Sequence, residues 1–157
     1  KREVNMENFV IGEFVSALIA HDRKGRKAEF LDRRSACFII TVRGKIRFTS
    51  KYGTVVSDKD HVVFLPKGLT YVNECIESAE SYVFNFHTIH SYEEPLSLPC
   101  ALGDIIHQYY ESIISKSFSP SLQNTLMIFE MLYSLSRHVF YADPADIYQH
   151  PIIKKEE

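Results

Sequence analysis

The chain has 157 residues, 45% of them apolar and 24% charged, with six glycines and six prolines. That length buries one sizeable core, so one domain with at most a short second element is expected, and the composition excludes disordered, collagen-like and mucin-like chains. A formal net charge of −2 gives no global attraction to nucleic acid or an acidic membrane, although residues 1–60 hold 13 Lys/Arg against 8 Asp/Glu and residues 61–157 hold 5 against 12.

Over the first 90 residues, short β-branched and aromatic runs are separated by turn residues, a pattern of strands. In chain order the runs are FVIGEFVSALIA, ACFIITV, KIRFTS, TVV, HVVFL, TYVNEC and ESYVFNFHT. Arg43-Gly44 and Tyr52-Gly53 read as hairpin connections, because glycine takes the positive φ of a tight turn. The RKGRK segment between the first two runs reads as a solvated basic loop, with a mobile rim or an interdomain contact as the other reading. Asp58-Lys59-Asp60 followed by HVVFLPKG describes an acidic turn, a buried strand, and a sharp stop at Pro66-x-Gly68. So many short strands without interleaved helices predict a barrel or sandwich.

From Leu98 the periodicity changes. Ile105, Ile106, Tyr109, Tyr110, Ile113 and Ile114 recur at three- and four-residue intervals, which predicts a helix near residues 103–116. Ser119 and Pro120 form a cap and first-turn pair that opens a second helix to about Tyr141, and Asp143-Pro144 stops it. This helix carries Leu122, Leu126, Phe129, Tyr133 and Phe140 on one side, while Ile128, Met131, Leu132, Leu135 and Val139 populate much of the rest. A helix apolar on more than one face needs more than one cover. Those last five residues are therefore expected to form a homodimer contact, with purely internal burial as the alternative. The plan is a β region over 1–98, two helices over 99–142, and a linker starting at 143–157. Lys1 and the closing KKEE carry no domain-closing pattern, so both ends are expected to be cuts in a longer protein.

Signals for chemistry are sparse. Cys37, Cys75 and Cys100 form neither a close pair nor a metal-type spacing, which fits core thiols in a reducing cytoplasm. No apolar run is long enough to span a membrane. Among the seven histidines none makes an H-E-x-x-H pattern. His87 and His90 lie three apart at a strand end, on opposite faces of an extended chain, and read as structural or surface residues. The pairs Asp58/Asp60 and Glu93/Glu94 read as solvated turn carboxylates. Nucleophile-elbow, P-loop and dinucleotide patterns are missing, so no catalytic residue and no cofactor is expected.

Taken together, the β runs, the Pro66-x-Gly68 turn and the two trailing helices resemble the cupin superfamily, specifically the amino-terminal sensor domain of AraC-type bacterial transcriptional regulators. The resemblance covers about residues 8–142. The first cupin motif lies over Gly25, Leu31, Arg33, Cys37 and Gly44, and the second over Asp60, Pro66, Gly68 and Tyr71, with aspartate in place of the leading glycine. The metallocupin ligand positions are thus Leu31, Arg33, Cys37 and Tyr71, a poor donor set with a guanidinium among it, and no metal is expected. The resemblance implies a cupin-like double-stranded β-barrel (jelly roll) followed by two α-helices. It also implies a small effector in the barrel, a homodimer through the helices, and DNA binding only through a carboxy-terminal domain outside this chain. The HPII segment resembles the junction leading to that domain.

On this alignment, strand parity sends Arg33, Cys37, Ile39 and Thr41 inward and Phe38, Ile40 and Val42 outward, and it places Tyr71, Asn73 and Cys75 on one face. Arg33, Cys37, Ile39, Thr41, Tyr71 and Asn73 are accordingly the ligand-binding candidates for a sugar or small acid. Arg33 suits a carboxylate or phosphate, Tyr71 a ring or hydroxyl, and Asn73 an orienting contact. The competing reading has Arg33 in a charged surface turn and Tyr71 filling the end of a closed barrel. The competing functions are a stand-alone cupin enzyme and a dimerising scaffold with a filled barrel.

Overall fold

A computed structural model describes residues 11–99 together with Glu130. Seven strands follow in order: β1 (Ile11–Asp22), β2 (Lys27–Phe30), β3 (Ala36–Ser50), β4 (Gly53–Ser57), β5 (His61–Leu65), β6 (Tyr71–Thr88) and β7 (Leu96–Pro99). The helices expected over 103–116 and 119–141, with the dimer candidates Ile128, Met131, Leu132, Leu135 and Val139, lie outside the described residues. Among those residues no helix is long and apolar enough to cross a membrane.

All pairings are antiparallel, and two long strands organise them. One edge of β6 pairs with β3 along nearly its whole length, while its other edge pairs with β2 at the start and β1 at the end. Likewise β3 pairs with β5 near its beginning and β4 near its end, and β7 extends the sheet from β5. Because both long strands bend between their two sets of partners, the sheet curls into a half-barrel of the kind a cupin-like jelly roll contains.

Arg43-Gly44 is not the hairpin expected from the sequence. The chain runs straight through as β3, and register shifts cluster between Thr41 and Ile46. Gly44 sits there at φ 82°, and a Cβ on it would lie 2.1 Å from the Ser78 carbonyl oxygen. Glycine is required at this bulge by close backbone approach as well as by dihedral angle. Tyr52-Gly53 does close a hairpin, with Ser50 facing Gly53 across it. The runs TYVNEC and ESYVFNFHT, separate in the sequence reading, are one 18-residue strand.

Two apolar layers result. The interior cluster gathers Cys37, Ile39, Ile46, Phe48, Val63, Leu65, Leu69, Tyr71, Cys75 and Ala79. Along β3 its members are odd-numbered before the Gly44 bulge and even-numbered after it, as a one-residue insertion dictates. On the opposite face Phe38 packs against Phe64 and Phe86 at ring-centroid distances of 5.7 and 5.3 Å. Phe38, Phe64, Phe84 and Phe86 are all fully buried.

Candidate functional site

Arg33 occupies a short segment between β2 and β3 that the main chain holds firmly. Its N–H donates to the Leu69 carbonyl at 2.9 Å, and its own carbonyl accepts from the Gly68 N–H at 2.7 Å. The Pro66-x-Gly68 turn read from the sequence is therefore what clamps Arg33, with Gly68 at φ 87°. The preceding Asp32 lies in the left-handed region at φ 49°, where aspartate is tolerated better than most side chains. Its N–H donates to Thr70 Oγ1 at 3.0 Å. These bonds aim the Arg33 side chain toward the barrel end.

There the half-buried guanidinium meets neutral acceptors. Nε donates to the Ser35 carbonyl at 2.9 Å, Nη1 to Tyr71 Oη at 2.9 Å, and Nη2 to Asn85 Oδ1 at 2.5 Å. Asn85 Nδ2 in turn donates to Ser16 Oγ at 3.2 Å, tying the network to β1. Among the described residues no carboxylate forms an ion pair with Arg33. A guanidinium also carries more N–H donors than these bonds use. Beside it lies an open depression of about 310 Å³ whose apolar wall is Val15, Phe30 and Leu31 and whose polar side includes Arg33 and Asn85. Leu31 is 71% exposed and Phe30 40% exposed. The pairing of an apolar wall with a directed cation is the pattern of a site for an amphipathic anion.

The other sequence candidates separate. Tyr71 joins Arg33 and is buried, with Phe30 stacked on it at 5.2 Å and Phe48 tilted at 5.9 Å. Burial pushes the Tyr71 phenol up, against the pull of the Arg33 charge and hydrogen bond, so it stays protonated. Cys37 lies in the interior cluster and is fully buried. Desolvation raises its thiol to about 11, although the nearby Arg33 charge opposes the rise. Ile39 is in the same cluster. Thr41 Oγ1 is bonded to Ser57 Oγ at 2.7 Å and Ser81 Oγ at 2.8 Å, a hydroxyl group of three sealed under the β3 bend. Asn73 is half-buried, in register between Ala28 and Phe48. Arg33 and Tyr71 are thus brought into direct contact, while Cys37, Ile39 and Thr41 line the packed interior.

Sequence reasoning missed Asn85 and Ser16. Asn85 is the cross-strand partner of Cys37 and shares the odd-numbered face with Tyr71 and Asn73. Reading β6 as one strand would have carried the parity to it. Of the carboxylate pairs, Asp58 serves its own turn, accepting from the Asp60 N–H and from His61 Nδ1, each at 2.9 Å. Among the described residues no three His, Cys, Asp or Glu side chains converge as a metal site.

No family model and no curated protein sequence matches this chain. Solved structures do. An apo lysine-to-alanine variant of ToxT from Vibrio cholerae strain SCE256 is 15% identical with a TM-score of 0.57, the match covering 89% of this chain and 59% of that one. ToxT from Vibrio cholerae O395 bound to (E)-4-(8-methylnaphthalen-1-yl)but-3-enoic acid is 12% identical, with a TM-score of 0.54 over 81% of this chain and 57% of that one. Unsaturated fatty acid bound wild-type ToxT from strain SCE256 is 15% identical, with a TM-score of 0.51 over 88% and 57%. The chain spans less than three fifths of these proteins, and the likeness at such identities is one of fold.

Proposed function

We propose that this chain is the effector-sensing and dimerisation domain of an AraC-type transcriptional regulator, and that its effector is a small organic acid with an apolar body. The observation that carries this reading is Arg33: a half-buried cation fixed by neutral acceptors, without a described carboxylate partner, beside an apolar wall. Desolvating a guanidinium without a counter-charge is costly, and an arriving carboxylate removes that cost through directed, charge-assisted bonds. Two of the ToxT structures hold carboxylic acids by their descriptions, which supports the same ligand chemistry on this fold. In this reading the helical region holds the dimer contact through Ile128, Met131, Leu132, Leu135 and Val139. DNA is bound by a domain beyond this chain, in the cytoplasm, and the chain itself is not an enzyme. Regulation requires that the acid bind two arrangements of the regulator unequally.

A dimerising scaffold with a filled barrel is the second reading, favoured by the complete burial of Cys37, Val63 and Leu65. Calorimetric titration with a medium-chain monocarboxylate, its methyl ester and a neutral monosaccharide separates the two. The sensor reading predicts that the acid binds at least about tenfold more tightly than the ester or sugar, and that Arg33→Ala erases the acid's advantage. Equal affinity for acid and ester, or an acid unaffected by Arg33→Ala, contradicts it.

A further inference from the structure

We propose that the barrel end next to Arg33 carries a second, separate binding cleft, for a phosphate monoester attached to an aromatic ring system. Two concavities of about 630 and 380 Å³ meet over the turn after β5, sharing Lys67, Gly68 and Tyr92. The larger adds His87, His90, Thr88 and Ser91 to its wall, and the smaller adds Lys51, Tyr52, Thr70 and Glu93. Each lobe is within the size range of a small-molecule site.

Charge placement points to an anion. Lys67 is the single Lys or Arg between residues 61 and 99, a stretch with five glutamates. It nevertheless forms no ion pair with a described residue, although Glu93 lines the same cleft. Its backbone is held by the Gly68 N–H to Arg33 carbonyl bond at 2.7 Å, so the ammonium is presented from a fixed turn. His87, His90 and Ser91 add separately placed polar residues to the wall of the larger lobe. His90 is positioned by its carbonyl, which accepts from Thr88 Oγ1 at 2.5 Å. Compact donors arriving from several directions match a tetrahedral oxyanion, whereas the planar fork of Arg33 matches a carboxylate. The two sites therefore differ in the geometry of the anion they accept.

The smaller lobe supplies aromatic surface. Tyr52 is 40% exposed and has Lys51 Nζ 5.2 Å from its ring centroid. Tyr92 is steadied by an edge contact with Phe64 at 5.6 Å. Gly68, which lines the same lobe, has no side chain, and among the described residues only Asp32 Oδ1, at 3.9 Å, comes near where a Cβ would stand. That open floor joins the anion lobe to the tyrosines, which offer stacking surface to a flat ring.

The test is calorimetric titration of the 157-residue chain with adenosine monophosphate, inorganic phosphate and adenosine. Expected is the order monophosphate, then phosphate, then adenosine, with Lys67→Ala weakening both anions about tenfold, the loss that removing one charge-assisted contact brings. Tyr52→Ala weakens the monophosphate and leaves phosphate unchanged. Arg33→Ala leaves both anions within about twofold, which keeps this cleft distinct from the acid site whatever the fate of that reading. The proposal is overturned if neither anion binds at millimolar concentration, if Lys67→Ala has no effect, or if Arg33→Ala abolishes binding. Equal affinity for monophosphate and phosphate overturns the aromatic lobe.

Discussion

The two halves of β3 have the same backbone partner, β6, and opposite characters. From Ala36 to Thr41 every residue is buried, so the strand is covered on both faces. From Lys45 to Ser50 the pattern alternates: Ile46 and Phe48 enter the interior, while Lys45 and Arg47 turn outward to Glu77 and Glu74 at 3.6 and 2.7 Å. The Gly44 bulge divides the two. A single strand can thus serve as a core plank at one end and a solvated barrel wall at the other, provided one residue lets the inward face change. The Arg33 network spans that divide, reaching Asn85 opposite Cys37 in the first half and Tyr71, which packs on Phe48 of the second.

Substitutions in the two halves should differ accordingly. Phe38→Ala in the doubly buried half is expected to cost about 3–5 kcal/mol in chemical denaturation, because it removes a ring packed on two others. At the divide, Gly44→Ala should cost about 2–4 kcal/mol, since a methyl group there meets the β6 backbone and the dihedral angle disfavours it. If Gly44→Ala were as stable as the parent, the bulge would not be what couples the halves.

Cys37 gives a pH signature of the buried half. Its folded thiol is raised from 9.0 to about 11 by desolvation, so between those values the unfolded chain loses a proton that the folded chain keeps. Its contribution is therefore fully present below pH 9 and is lost as pH rises toward 11, by about 2–3 kcal/mol. Denaturation midpoints across that window should fall less steeply for Cys37→Ala than for the parent. Equal slopes would mean the thiol is not held in a dry interior. The smallest effect belongs to the solvated half, where Lys45→Ala should change stability by less than about 1 kcal/mol, because its ion pair with Glu77 is exposed.

How much of this was legible follows the same division. The Tyr52-Gly53 hairpin and the Pro66-x-Gly68 turn read directly from their residues, whereas the division of Cys37 and Ile39 from Phe38 and Ile40 rested on the motif alignment, because all four are apolar and buried. β2 escaped because Lys27, Ala28, Glu29 and Phe30 carry no strong strand pattern, and their pairing to β6 makes them a strand. β7 escaped because Leu96–Pro99 is short and proline-flanked, and β5 recruits it. Gly44 was singled out correctly as a special backbone position and assigned the wrong use, since a bulge and a hairpin both favour glycine. In the candidate site, Arg33 and Tyr71 were legible through motif alignment. Asn85 was not, because its place depends on β6 continuing unbroken from Tyr71 for more than a dozen residues.

Whether Arg33 takes a carboxylate is decided by a crystal structure of the chain with a bound medium-chain monocarboxylate. The expectation is carboxylate oxygens within hydrogen-bonding distance of the Arg33 Nη atoms and the apolar body against Val15, Phe30 and Leu31. An acid bound elsewhere, with Arg33 still bonded only to Ser35, Tyr71 and Asn85, would contradict it.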